Sequence, residues 1–240
     1  MSASRRPLRL RIDPPPPGGM ITLRGAELRH LRVRRLNPGD TVVCFDDSGT
    51  EYRGDIVRMS SDAAQIAVAQ AARPERESPL QLTLAQAALK SDHLDLVVEK
   101  ATEIGVAAIN LFECERSVAQ PSAARLERLR RIAASAAKQS GRVRVPEIRG
   151  LLAFDELLQP PAILFHPGAD APLTAELGSF ADLTAIVGPE GGFSAAEIER
   201  AVAAGCHIVG LGPRILRGET AGIAVSALCQ FLWGDMVVRR

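Results

Sequence analysis

From Leu80 to the end of the chain, short apolar runs of strand length alternate with longer segments in which apolar residues recur at helical spacing. No other feature constrains the fold as strongly. LQLTLAQAALK (80–90) reads as a strand. Ser91 then caps a helix with Leu94, Val97, Val98, Ala101 and Ile104 on one face and Asp92, Asp95, Glu99, Lys100 and Glu103 on the other, and Gly105 stops it. AAINLFE (107–113) is a second strand, and Leu126, Leu129, Ile132, Ala133 and Ala136 mark a second amphipathic helix that ends at QSGR (139–142). The pattern continues through AILFHPG (162–168), AIVGPEGG (185–192), a helix from Ser194, the strand HIVGLG (207–212) and a last helix from about Glu219 to Trp233. Ser194 and Glu197 make an S-x-x-E capping box. Strands and helices taken in turn argue for a parallel α/β sheet.

Upstream the period differs. ITL, TVVCFDD, EYRGDIVRM and AAQIAVAQA are short runs rich in Val, Ile and Thr, separated by the turn signals NPGD and DDSGT, and they predict a small β-barrel or sandwich. One helix interrupts it at Glu27–Leu36, with Leu28, Leu31 and Leu36 facing inward and Arg29, Arg32, Arg34 and Arg35 outward. His30 reads as a packed or surface histidine. The polar stretch ARPERESP (72–79), with Pro74 and Pro79, reads as a linker, which divides the chain into residues 1–73 and 74–240.

Charge follows the same division. Residues 1–73 hold 12 arginines, no lysine and 8 acids, a net of +4, while the remainder carries −3. Residues 1–35 alone reach +7. Such a segment suits a phosphate backbone, and a solvated basic face is the alternative. The four cysteines are scattered without metal spacing and read as buried free thiols suited to a reducing cytoplasm. The first residues carry arginines but no apolar stretch, and no run has the length of a membrane span, so neither secretion nor membrane anchoring is expected.

Three predicted strands end in HPG, GPEGG and GLGPRILRG. Ligands of open α/β sheets bind outside the carboxyl ends of strands. No G-x-G-x-x-G, Walker loop, G-x-S-x-G or H-E-x-x-H occurs, and His30, His93, His166 and His207 have no metal spacing. What is left points to a metal-free site that holds a cofactor mainly through backbone groups and apolar contacts.

GPEGGFSAAEIE followed by LGPRILRGETA resembles the signature of the SPOUT methyltransferases, and in particular of the RsmE family of 16S ribosomal RNA (uracil-N3)-methyltransferases. The resemblance covers nearly the whole chain: HLRVRRLNPGD, then KSDHLDLVVEKATEIGV with Lys90, Asp92, Lys100, Glu103 and Gly105, then ERSV and AAKQSGRVRVPEI. Two positions depart from it. Gly218 stands where the family more often has Thr, and Lys138 where an acid is common.

The resemblance implies a PUA-like RNA-binding β-barrel over residues 1–73 and a trefoil-knotted SPOUT α/β domain over 74–240. It also implies S-adenosyl-L-methionine as cofactor, a homodimer, and a uridine of 16S rRNA (U1498) in the small ribosomal subunit as target. The cofactor pocket is then lined by Leu164, Phe165, His166, Gly188, Pro189, Glu190, Gly191, Gly192, Leu211, Gly212, Ile215, Leu216 and Arg217. Leu211, Ile215 and Leu216 read equally as core residues, and Gly191 and Gly192 as turn residues. Methylation at N3 requires loss of the imide proton. Arg217 is the candidate to stabilise the resulting charge and Glu219 to accept the proton, with a phosphate clamp and a first-turn helix charge as their plainer alternatives. A SPOUT enzyme with another RNA target, and a non-catalytic RNA-binding assembly factor, are the competing readings.

Overall fold

The structure is a computed structural model that describes residues 7–12, 17–89, 91–117 and 121–237. Lys90 and Val118, both members of the motifs above, lie outside these residues. The chain forms two compact units: residues through Glu77 together with Ala137–Arg144, and Ser78–Ala136 together with Val145 onward.

The first unit holds one five-stranded sheet in the order β1-β3-β4-β5-β2, formed by Leu8–Arg11 (β1), Met20–Leu23 (β2), Thr41–Phe45 (β3), Glu51–Met59 (β4) and Ala64–Ala72 (β5). β1 runs parallel to β3, and the other pairs are antiparallel. The period-2 pattern places Leu10, Ile21, Leu23, Val42, Cys44, Ile56 and Ile66 in one core, to which helix α1 (Gly25–Val33) adds Leu28 and Leu31. The helix closes with Leu36 N–H donating to Leu31 O and Arg35 N–H to Arg32 O, which puts Arg35 in the left-handed region at φ 57° and turns Leu36 back onto the core.

Residues 137–144, from the QSGR segment, are built into this unit. Arg142, buried, donates to Glu77 Oε2 at 2.6 Å, and Glu77 Oε1 accepts Val143 N–H at 2.9 Å. Lys138, one of the two departures from the family pattern, donates to Glu27 at 2.8 Å in the first turn of α1.

The second unit is a six-stranded sheet in the order β11-β9-β10-β6-β7-β8, parallel throughout: Gln81–Ala87 (β6), Ala108–Glu113 (β7), Glu147–Ala153 (β8), Ala162–Phe165 (β9), Asp182–Val187 (β10) and His207–Val209 (β11). The chain winds outward from β6 through β7 and β8, crosses to β9, returns to β10 between β9 and β6, and ends at the far edge in β11, so the connections that leave β6 and β10 diverge and the switch point lies between them. Helices α2 (Ser91–Ile104), α3 (Ala123–Ser140), α4 (Ala195–Ala203) and α5 (Gly218–Trp233) complete it. One face carries Leu82, Leu84, Val97, Ile109, Phe165 and Val225. The other carries Ala85, Phe112, Leu164, Ile186 and a triangle of Phe112, Phe154 and Phe193.

Two strands were not expected from the sequence, and both are edge strands. β1 is a four-residue LRLR alternation inside an arginine-rich segment. β8 carries Gly150 at its centre, where a Cβ would lie 2.5 Å from Leu126 Cδ1, so the residue that weakens the strand signal is the one that lets α3 pack on it. Cys44, Cys206 and Cys229 are buried and Cys114 half-buried, all as free thiols. Desolvation pushes Cys44 and Cys229 up to about 12.

Candidate functional site

β9, β10 and β11 are neighbours, and their last residues are partners in register: Val187 opposite Phe165, and Phe165 opposite Val209. HPG, GPEGG and GLGPRILRG therefore leave the sheet at one level on its carboxyl edge. β6 completes the row with Gln86 opposite Val187.

The HPG loop folds against the strand that follows it. His166 N–H donates to Val209 O at 2.9 Å, Gly210 N–H to Ala171 O at 2.9 Å, and Pro172 forms a parallel bridge with Gly210. Only glycine fits at 210, since a Cβ there would lie 2.4 Å from Ala169 O. Between residues 167–172 and 210–213 opens a cleft of about 350 Å³ whose walls include Gly168, Asp170, Gly210 and Gly212.

The GPEGG loop is held from below. Gly192 N–H donates to Pro189 O at 2.9 Å, and Gly192 takes φ 66° with open space beside it, so its glycine serves the turn. Gly191 lies against Arg116: a Cβ would meet Arg116 Cβ at 3.1 Å, and Arg116 Nη1 donates to Gly191 O at 2.9 Å. Glu197, 2% exposed, accepts Ser194 N–H at 2.8 Å through one oxygen and Glu115 N–H at 2.8 Å through the other. The capping box is thus also a tie between the loops after β7 and β10. Glu190 is exposed, which leaves its carboxylate to water.

The loop after β11 is the most open of the three. Among the described residues, the backbone N–H groups of Leu211, Gly212, Arg214, Ile215, Leu216 and Arg217 have no partner. Ile215 is 85% exposed, which places it outside the core, whereas Leu211 packs against the core and Leu216 is half-buried. Arg217 is exposed at the N-cap of α5. Leu164 and Phe165 are both buried, on opposite faces of the sheet, and their side chains are core. His166 is half-buried with Nδ1 sealed and unpartnered among the described residues.

Glu219 is buried in the first turn of α5 with a partner that the sequence did not suggest: His93 Nδ1, in the first turn of α2, lies 3.3 Å from its Oε2. Two residues far apart in sequence with no shared spacing leave no signal to find. Among the described residues no group of His, Cys, Asp and Glu could hold a metal ion.

On the first unit the four arginines of α1 and its C-terminus separate. Arg32 Nη2 donates to Ser60 O and Ser61 O at 2.6 and 2.7 Å and holds the β4–β5 turn. Arg29, Arg34 and Arg35 are exposed and, among the described residues, unpaired. Arg9, Arg11 and Arg24 are also neutralised, by Glu51, Asp47 and Asp62, so much of the +7 is balanced inside the unit.

A glycine-lined cleft at the carboxyl edge of a parallel sheet, carried on the same chain as a small β-unit whose Arg29, Arg34 and Arg35 are unpaired among the described residues, fits the class of RNA-modifying α/β enzymes. The RNA methyltransferase domain model matches residues 76–230, and the RNA methyltransferase PUA domain model matches residues 23–69. The ribosomal RNA small subunit methyltransferase E of Bacillus subtilis is 31% identical over 237 residues, covering 90% of this chain and 93% of its own. That of Synechocystis is 33% identical, covering 84% of this chain and 69% of its own. Among solved structures, a ribosomal RNA small subunit methyltransferase E from Neisseria gonorrhoeae bound to S-adenosyl methionine superposes with a TM-score of 0.90 at 31% identity, over 97% of this chain and 100% of that one. A putative methyltransferase from Legionella pneumophila in complex with SAM gives 0.87 at 30% identity, with the same coverage. The chain belongs to the ribosomal RNA small subunit methyltransferase E family of RNA methyltransferases.

Proposed function

We propose that this protein transfers a methyl group from S-adenosylmethionine to N3 of a specific uridine in 16S rRNA, acting as a cytoplasmic homodimer on the small ribosomal subunit. In this reading residues 74–240 are the methyltransferase domain, with the trefoil knot that the resemblance implies, and residues 1–73 bind RNA. The observation that carries it is the loop 211–217: six of its backbone amides have no partner among the described residues, and the loop runs on from the glycine-lined cleft at the carboxyl edge of the sheet. That donor set fits a cofactor with many acceptors and one apolar ring system, and no metal is needed.

Gly188, Pro189, Glu190, Gly191, Gly192, Leu211, Gly212, Ile215, Leu216 and Arg217, together with the backbone of Leu164, Phe165 and His166, would hold the cofactor. Leu164 and Phe165 act only through their main chain because their side chains are core. When bound, the cofactor supplies an electrophilic methyl on a sulfonium. The protein's own residues do the rest. Uracil loses its imide proton, and the charge that remains spreads over two carbonyl oxygens, where the guanidinium of Arg217, exposed and without a partner among the described residues, stabilises it. Glu219 accepts the proton. Arg29, Arg34 and Arg35 meet the RNA backbone, while Arg32 is committed to the β4–β5 turn.

Mass spectrometry of 16S RNA nucleosides tests this, using subunits that lack the modification incubated with and without the protein and S-adenosylmethionine. 3-Methyluridine is expected only with both. Methylation at a ribose or at another base would replace the N3 assignment, and cofactor binding without any transfer would favour an assembly factor.

A further inference from the structure

We propose that His93 is a positioning residue that holds Glu219, through His93 Nδ1 and Glu219 Oε2, as the proton acceptor of the methylation site; this rests on the uracil-N3 reading above.

The two residues meet at the switch point. β6 runs into the first turn of α2, which carries His93, and the loop after β11 runs into the first turn of α5, which carries Glu219. Two glycines one turn apart let α5 come down on the end of β6. A Cβ on Gly218 would lie 2.7 Å from Leu89 Cδ2, and one on Gly222 would lie 2.3 Å from Gln86 Oε1. Glu219 is carried between them and its position is fixed by backbone packing. Gly218, the second departure from the family pattern, is therefore part of what places the carboxylate.

The approach of Nδ1 to Oε2 is 3.3 Å. Both atoms are sealed from solvent, neither has another hydrogen-bond partner among the described residues, and the approach is not aligned as a hydrogen bond. Two acceptors at this distance would repel, and a sealed carboxylate oxygen without a donor is strongly disfavoured. A proton on Nδ1, of a neutral or a charged imidazole, removes that repulsion and gives Oε2 a donor. Oε2 is thereby occupied and Oε1, which is not sealed, is left for substrate. In the step, the N3–H bond of uracil breaks, its electron pair stays on N3, and the proton passes to Oε1. The methyl then forms its bond to N3, and the pair of the broken carbon–sulfur bond leaves with sulfur. His93 takes no part in bond making. It fixes which oxygen faces the base and shares the charge change on the carboxyl.

The test uses the full chain with His93→Phe, which keeps a ring but no donor, His93→Gln, which restores one, Glu219→Gln, and the double variant His93→Phe/Glu219→Gln. Because general-base catalysis contributes roughly 10² to 10⁴, losing the group that orients the base is expected to lower kcat by about 10- to 10²-fold, with KM for RNA and cofactor within about threefold. His93→Gln should regain most of the loss, and the double variant should be no slower than Glu219→Gln alone. Nitrogen-15 NMR of the protein without cofactor should show one imidazole with a protonated Nδ1 that vanishes in His93→Phe and shifts in Glu219→Gln. Full kcat in His93→Phe, effects that multiply in the double variant, or an Nδ1 without a proton overturns the proposal. If the wild-type protein methylates elsewhere than N3, the functional reading fails while the NMR result still decides whether the pair exists.

Discussion

The two ends of α5 are built on opposite principles. At its C-terminal end the buried polar side chains of Ser78, Gln230 and Trp233 are paired. Gln230 accepts from Ser78 Oγ at 2.6 Å and donates to Gly105 O at 3.0 Å, Trp233 Nε1 donates to Gly178 O at 2.9 Å, and the Trp233 ring meets Phe180 edge-on at 4.9 Å. At its N-terminal end Gln86 Oε1, Glu219 Oε2 and His93 Nδ1 are sealed and not hydrogen-bonded, and Arg217 caps the helix without a side-chain bond. Buried groups left unpaired are costly, by about 1–3 kcal/mol each, so a fold keeps them where a ligand or a proton completes them. The helix is fastened by hydrogen bonds at one end, while the other end carries groups that a proton or a ligand completes.

That contrast can be broken most forcefully at the fastened end. Trp233→Ala should cost about 3–5 kcal/mol of stability, read from denaturant unfolding, while the folded fraction keeps its S-adenosylmethionine affinity in calorimetry. A loss of affinity without a loss of stability would reverse the assignment of the two ends.

Arg217→Ala should do the opposite. It is expected to lower single-turnover methylation by about 10² to 10³, with RNA and cofactor both saturating, and to leave the melting temperature nearly unchanged. Recovery of the full rate at saturation would make Arg217 a phosphate clamp.

Between these extremes lies Glu197→Ala, which removes a buried carboxylate from two backbone donors. It should cost about 2–3 kcal/mol and weaken cofactor binding as well, since the same side chain sets the GPEGG loop. Stability loss with unaltered affinity would mean that the loop is placed by Arg116 alone.

The smallest effect belongs to the first unit. The triple substitution of Arg29, Arg34 and Arg35 by Ala should reduce the log–log salt slope of RNA binding by about 0.7 to 0.9 for each phosphate that is no longer neutralised. Arg32→Ala should leave the slope alone and loosen the β4–β5 turn. An unchanged slope in the triple variant would favour a solvated basic face.

Much of this molecule is legible in its sequence because it depends on neighbours along the chain. The alternation from Leu80 onward, the Ser194–Glu197 box and the inward Leu28 and Leu31 are local patterns, and each appears where it was expected. What escaped is what the fold brings together. Arg32 reads as an outward cation, but the carbonyls it binds, Ser60 O and Ser61 O, are brought to it by the turn between β4 and β5. Gly191 reads as a pocket or a turn residue, and Arg116, which packs against it, comes from the loop after β7. Leu164 and Phe165 sit in a strand that the sequence predicts, and pleating sends their side chains into the cores on opposite faces of the sheet. The pairing of His93 with Glu219 needs the register of the sheet and the descent of α5, neither of which any spacing encodes.

The two-sided grip of Glu197 also ties together the motions of two loops. The amides of Glu115 and Ser194 are bound by the two oxygens of one carboxylate, so a rotation that frees one disturbs the other. In hydrogen exchange the two amides should therefore open in a common event and exchange at linked rates, although they lie on different loops. The segment after β7 and the segment after β10 then breathe as a single unit, and whatever stills one of them stills both.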